Sequence, residues 1–165
     1  LGANKDMEVM KQLYDVMSLL EIFTGCKNVL PTYLAIAQAE IAYREIEVTP
    51  TDCLWDTFDA AFCIASRGKT NTVDYPLYVK GIRDLRSHIY SENYSPEIAA
   101  TRAGRVMYAV MWLLTGKEYT KIENENILSE SKITHPSLTS LNYLRKVDLT
   151  AYSYLVLLDE IMIDR

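Results

Sequence analysis

An all-α protein, an up-and-down bundle of five to seven helices forming a single domain over residues 1–165, is what the sequence predicts. Three observations predict it. Apolar residues recur at the i, i+3, i+4 spacing of a one-sided helix through most of the chain. Prolines stand where helices can begin, at 31, 50, 76, 96 and 136. Gly (6) and Pro (5) are too few for the many tight turns of an all-β fold.

The first helix is expected from Asp6 to Phe23, with Met7, Met10, Leu13, Tyr14, Met17 and Leu20 on one stripe, extended by the polar Glu21, and Gly25 as the stop. Pro31 opens a second, whose buried stripe is Tyr33, Leu34, Ala37, Ile41 and Ala42 and which fades in residues 45–48. The third start is sharper. Thr49 can cap, Pro50 has the right φ, and Asp52 can return a hydrogen bond to complete a capping box. Its apolar face is Leu54, Trp55, Phe58, Ala61, Phe62 and Ala65, and Gly68 ends it.

Residues 69–74 are polar turn material. Pro76 opens a fourth helix carrying Leu77, Ile82, Leu85 and Ile89, and Ser91 to Tyr94 form a loop. Ser95-Pro96-Glu97 begins a fifth, apolar on most sides from Ile98 to Leu114 and therefore central, with Gly116 as its stop. Residues 117–135 read as a loop with a short helix around Glu125–Glu130. Pro136 starts a short helix through Leu141 and Leu144. Asp148 caps the last one, with Leu149, Tyr152, Val156 and Ile161 on one face.

Composition narrows the function classes. Hydrophobic residues at 49% and charged residues at 24% describe a globular chain, not a disordered one. A formal charge of −5 favours solubility and gives no global attraction to nucleic acid or anionic lipid, so RNA binding would need a local patch. Cys26, Cys53 and Cys63 show no paired spacing, which suits small core residues in a reducing, cytoplasmic setting. No apolar run reaches the ~18 residues of a membrane span, and no basic stretch leads into an apolar run as in a secretory signal. The start at Leu1 leaves room for an upstream segment.

Most catalytic signatures are missing. The chain has no GxGxxG or phosphate loop, no GxSxG elbow, no HExxH and no Glu-x-x-His. No metal site and no cofactor are expected. His135 precedes a proline and reads as a turn or cap residue.

One segment remains, Gly81-Ile82-Arg83-Asp84-Leu85-Arg86-Ser87-His88-Ile89-Tyr90. Near a helix end it sets a fixed cation, Arg83, close to a titratable imidazole, His88. Such a pair suits metal-free RNA cleavage. The His can take the proton of a ribose 2′-hydroxyl or give one to the leaving 5′-oxygen. The Arg can hold the scissile phosphate. Lys80, Arg83, Arg86, Arg102 and Arg105 form a basic island against Asp84, Glu92 and Glu97, with Arg86, Arg102 and Arg105 as candidate auxiliary phosphate contacts.

In these residues the segment resembles the HEPN superfamily of small helical ribonucleases, whose motif is Arg, a spacer of about four to six residues, then His. With Tyr two residues after the His it is similar to HepT-type toxins of toxin–antitoxin pairs. The resemblance implies a homodimer whose two motifs meet in a composite cleft, with Arg83, His88 and Tyr90 as its catalytic set and Tyr90 as a modifiable hydroxyl. The family commonly has Asn after the Arg. Here it is Asp84, a carboxylate that opposes phosphate unless Arg86 offsets it.

The competing expectation is a helical interaction or assembly subunit without catalysis, as in a viral, phage or host complex, with a homodimer or another protein as partner. The two readings differ in geometry. Cleavage needs Arg83 and His88 in a shared hollow, whereas assembly leaves them on an open face with exposed apolar surface elsewhere.

Overall fold

A computed structural model describes residues 5–25, 27–123, 128 and 130–163; Cys26 and most of the short helix expected at 125–130 lie outside them. The chain is an all-α helical bundle. Its elements are α1 (Lys5–Ile22), α2 (Val29–Tyr43), α3 (Pro50–Ala65), α4 (Tyr75–Arg86), α5 (Pro96–Thr115), a 3₁₀ segment (Thr139–Lys146) and α6 (Leu149–Ile163).

The starts follow local chemistry. Thr49 accepts from Asp52 N–H at 3.1 Å while the Asp52 carboxylate accepts from Thr49 N–H at 2.8 Å, the capping box its sequence announces. Ser95 accepts from Ile98 N–H, and Asp148 accepts from Ala151 N–H at 2.8 Å. Gly116 takes the left-handed conformation, φ 64°, that closes α5.

Helix α5 is the axis. It packs on α3, α6 and α1, and twelve of its residues from Ala99 to Trp112 are buried. The two most extensive pairings skip a sequence neighbour: α1 lies on α4, and α3 on α5. The α1–α4 approach is closest at Gly81, where an added Cβ would collide with the Asp6 carbonyl. Helix α6 is buried on nearly every side, with Leu155 and Leu158 inaccessible.

Helix α2 is different. Its expected stripe is periodic, but none of its residues is buried. Tyr33, Leu34, Ala37 and Ile41 are only half covered and Ala42 is exposed, because among the described residues α3 is the one helix that packs substantially on α2. Trp55, expected in the core, is 37% exposed on that same α3. Leu77 is also exposed, because α4 turns Tyr78, Ile82 and Leu85 inward instead. The helix expected from Pro136 begins three residues later, as a 3₁₀ segment.

The irregular stretch from 117 is held firmly. Tyrosine hydroxyls of α5 and α6 answer its backbone. Tyr108 accepts from Thr120 N–H at 2.9 Å, Tyr154 from Ile122 N–H at 3.0 Å, and Tyr152 from Ile133 N–H at 3.3 Å. The Asp159 carboxylate, 3% exposed, accepts from Thr134 N–H, Thr134 Oγ1 and His135 N–H within 3.1 Å. Buried polar groups paired this way hold a strand-free segment in place without regular structure.

Candidate functional site

Helix α4 ends at Arg86, so Arg83 stands on its last turn and His88 in the turn that follows, its N–H on the Leu85 carbonyl at 2.8 Å. Arg83, Arg86 and His88 are exposed, and Tyr90 is 96% exposed. None of the four side chains makes a hydrogen bond or ion pair among the described residues. Asp84 does not lie uncompensated beside them. Lys80 bridges it at 3.3 Å and Asp6 at 3.1 Å, so the offsetting cation is Lys80, not Arg86.

The loop carrying His88 and Tyr90 is braced from below. Tyr94 is fully buried and meets Tyr14 of α1 edge-on at 5.7 Å. Arg102 of α5 lies 4.7 Å from the Tyr14 ring centroid and 5.3 Å from that of Tyr94, and its guanidinium is 2.7 Å from Glu92. Burial pushes the Tyr94 phenol up to about 12, against the pull of Arg102.

Arg102 therefore works inside the loop's support rather than as an open phosphate contact. Arg105 is further removed. It is 8% exposed, donates to the Leu20 carbonyl and lies 4.6 Å from the Tyr154 ring centroid. A buried guanidinium held by a carbonyl and a π-face joins α1, α5 and α6; it does not reach a surface nucleotide. Of the basic island, Arg83 and Arg86 alone keep open guanidinium groups. His135, read as a turn residue, has its N–H on the Asp159 carboxylate at 2.8 Å.

Arg83, Arg86, His88 and Tyr90 line neither of two cavities on the described surface. One, of about 460 Å³, lies between α3 and the start of α4. Asp56, Asp59 and Asp74 give it an acidic rim. Cys63 at its edge donates to the Asn71 carbonyl at 3.3 Å, and burial raises its thiol pKa. No group of three His, Cys, Asp or Glu among the described residues is placed to hold a metal ion. The other, of about 700 Å³, lies where the start of α2 faces the end of α5. Among the described residues no helix is long and apolar enough to cross a membrane.

Sequence reasoning missed the apolar surface. Leu19 and Ile22 of α1 are 65% and 78% exposed, and Ile36 and Tyr43 of α2 are 60% and 85% exposed. Periodicity marks a face as apolar without saying whether anything covers it. Compared with protein-family models, curated proteins and solved structures, the chain finds no match.

Proposed function

We propose that this chain is a helical assembly subunit that pairs with a second copy of itself through α2. The observation that carries the reading is the uncovered face of that helix, where Thr32, Ile36, Ala39 and Tyr43 are exposed at the 4-3-4 spacing of a helix–helix seam. The row is complementary to itself. In an antiparallel pair about a twofold axis, Ile36 meets Ala39 and Thr32 meets Tyr43, a large side chain opposite a smaller one in each layer. The seam also suits an acidic chain, because the two charges between Thr32 and Arg44, Glu40 and Arg44, pair with each other at 3.3 Å and leave the face neutral.

One helix pair buries less than the ~1,200 Å² of a standard interface, so association is expected at about micromolar concentrations. Sedimentation equilibrium tests it. The native chain should dimerise with concentration, and an Ile36→Glu, Tyr43→Glu variant should stay monomeric with unchanged helicity. A native chain that remains monomeric throughout, or a variant that dimerises equally well, overturns the reading.

The ribonuclease reading keeps one observation in its favour. Arg83, Arg86, His88 and Tyr90 are all open and uncommitted on a braced turn, as groups awaiting a ligand would be. It requires a partner surface to make the hollow that one chain lacks. Labelled RNA incubated in EDTA should then be cut to 2′,3′-cyclic phosphate ends by the native protein and not by His88→Ala. Intact RNA across varied sequences removes this reading.

A further inference from the structure

We propose that residues 90–93, between α4 and α5, form a flap that Arg102 latches shut and that opens while the bundle stays folded. Two apolar anchors bound it. Ile89 packs half-buried against the core, and Tyr94 is fully buried. Between them Tyr90, Ser91 and Asn93 are exposed, and Glu92 alone is drawn inward. No helix runs through these residues. Two polar contacts tie the flap to the helices among the described residues. Ser91 Oγ lies 3.3 Å from Tyr14 Oη, and the Glu92 carboxylate lies 2.7 Å from the Arg102 guanidinium. Both converge on Arg102, because its guanidinium also lies over the rings of Tyr14 and Tyr94.

The closed position leaves polar groups stranded. Arg102 Nη1 and Tyr94 Oη are both buried, and neither meets a partner in hydrogen-bond geometry among the described residues. A polar group buried in this way destabilises the state that buries it, by an amount similar to what a partly exposed ion pair contributes. The Arg102–Glu92 pair is of that kind, with side-chain exposures of 15% and 26%. Swinging residues 90–93 outward breaks the pair and admits water to both stranded groups, so the loss and the gain are of comparable size. The anchors on either side stay in place, which keeps the opening local. Tyr90 travels with the flap, whereas His88 stays on the Leu85 carbonyl. The latch therefore sets the separation of the Tyr90 hydroxyl from the His88 imidazole. It involves neither α2 nor the two cavities.

Amide hydrogen exchange of the full chain, followed residue by residue by NMR, is the test. The reporter is the Tyr94 N–H, which donates to the Glu92 carbonyl at 3.1 Å, a bond that the opening breaks. In Glu92→Gln this amide should exchange about fivefold faster than in the native chain, the upper range for a partly exposed ion pair. Raising NaCl from ~0.05 M to ~0.5 M should speed it about twofold in the native chain and leave the variant unchanged, since salt screens the pair. Ser91→Ala, which removes the longer contact, should have a smaller effect than Glu92→Gln. Amides of residues 103–111 in α5 should be unaffected throughout, which shows that the fold is intact. A Tyr94 amide no faster in Glu92→Gln, one that quickens only in step with α5, a native rate indifferent to salt, or a larger effect of Ser91→Ala overturns the proposal.

Discussion

Helix α2 and the segment from 117 to 135 invert the usual relation between regularity and attachment. Helix α2 is fifteen residues of unbroken helix with no buried side chain. The later segment has no helix among its described residues, yet Tyr119 and Ile133 are buried and its backbone N–H groups are bonded to Tyr108, Tyr152, Tyr154 and Asp159. Backbone hydrogen bonds inside a helix satisfy its polar groups wherever the helix lies, so α2 persists at the surface. An irregular chain lacks that internal supply and needs partners from elsewhere, which draws it against the core. Removing contacts should therefore harm the irregular segment more than the regular helix.

The largest effect is expected at Asp159. Asp159→Ala strands three donors at residues 134 and 135 and should cost about 3 kcal/mol in chemical denaturation. Gly81→Ala, which drives a methyl group into the Asp6 backbone, should cost about 2 kcal/mol and sets the scale for a defect between two regular helices. Tyr154→Phe removes the acceptor of Ile122 N–H and should cost about 1 kcal/mol. At α2, Ile36→Glu should change monomer stability by no more than about 0.5 kcal/mol while suppressing dimerisation. If Ile36→Glu unfolds the monomer, or Asp159→Ala leaves it unaffected, the contrast fails.

Alkaline pH probes the same tyrosines. Burial is the main cause that pushes Tyr94, Tyr119 and Tyr143 up to about 12. The unfolded phenols ionise near ~10. A raised native pKa means that the folded chain holds these protons longer than the unfolded one. Their contribution to stability is therefore complete below pH ~10 and is lost as pH rises toward 12. Denaturation midpoints should be flat up to pH ~10 and fall steeply above it. A midpoint that holds constant to pH 12 contradicts the burial of these hydroxyls.

Much of the bundle was legible because caps are local. Thr49, Asp52, Ser95, Asp148 and Gly116 act within a few residues of themselves, so their spacing announces them. What was illegible depends on partners far along the chain. Tyr152 reaches residue 133, and Arg105 reaches Leu20, 85 positions away. In the sequence Arg105 looks like the companion of Arg102 as a phosphate contact; only the fold shows it inside. Arg83, Arg86, His88 and Tyr90 stand at a helix end as expected, but the hollow they would need is not a property of one chain's sequence. The apolar row of α2 was visible, and its lack of a cover was not.

The two tryptophans fall on opposite sides of this contrast. Trp55 stands partly exposed on the helix that carries α2, and Trp112 forms a wall of the cavity at 9% exposure. The molecule thus contains its own pair of optical reporters. With either indole replaced by Phe, the emission of the other reports on one region: the red-shifted signal of Trp55 follows coverage of the α2–α3 edge, and the blue-shifted signal of Trp112 follows the packing of the end of α5.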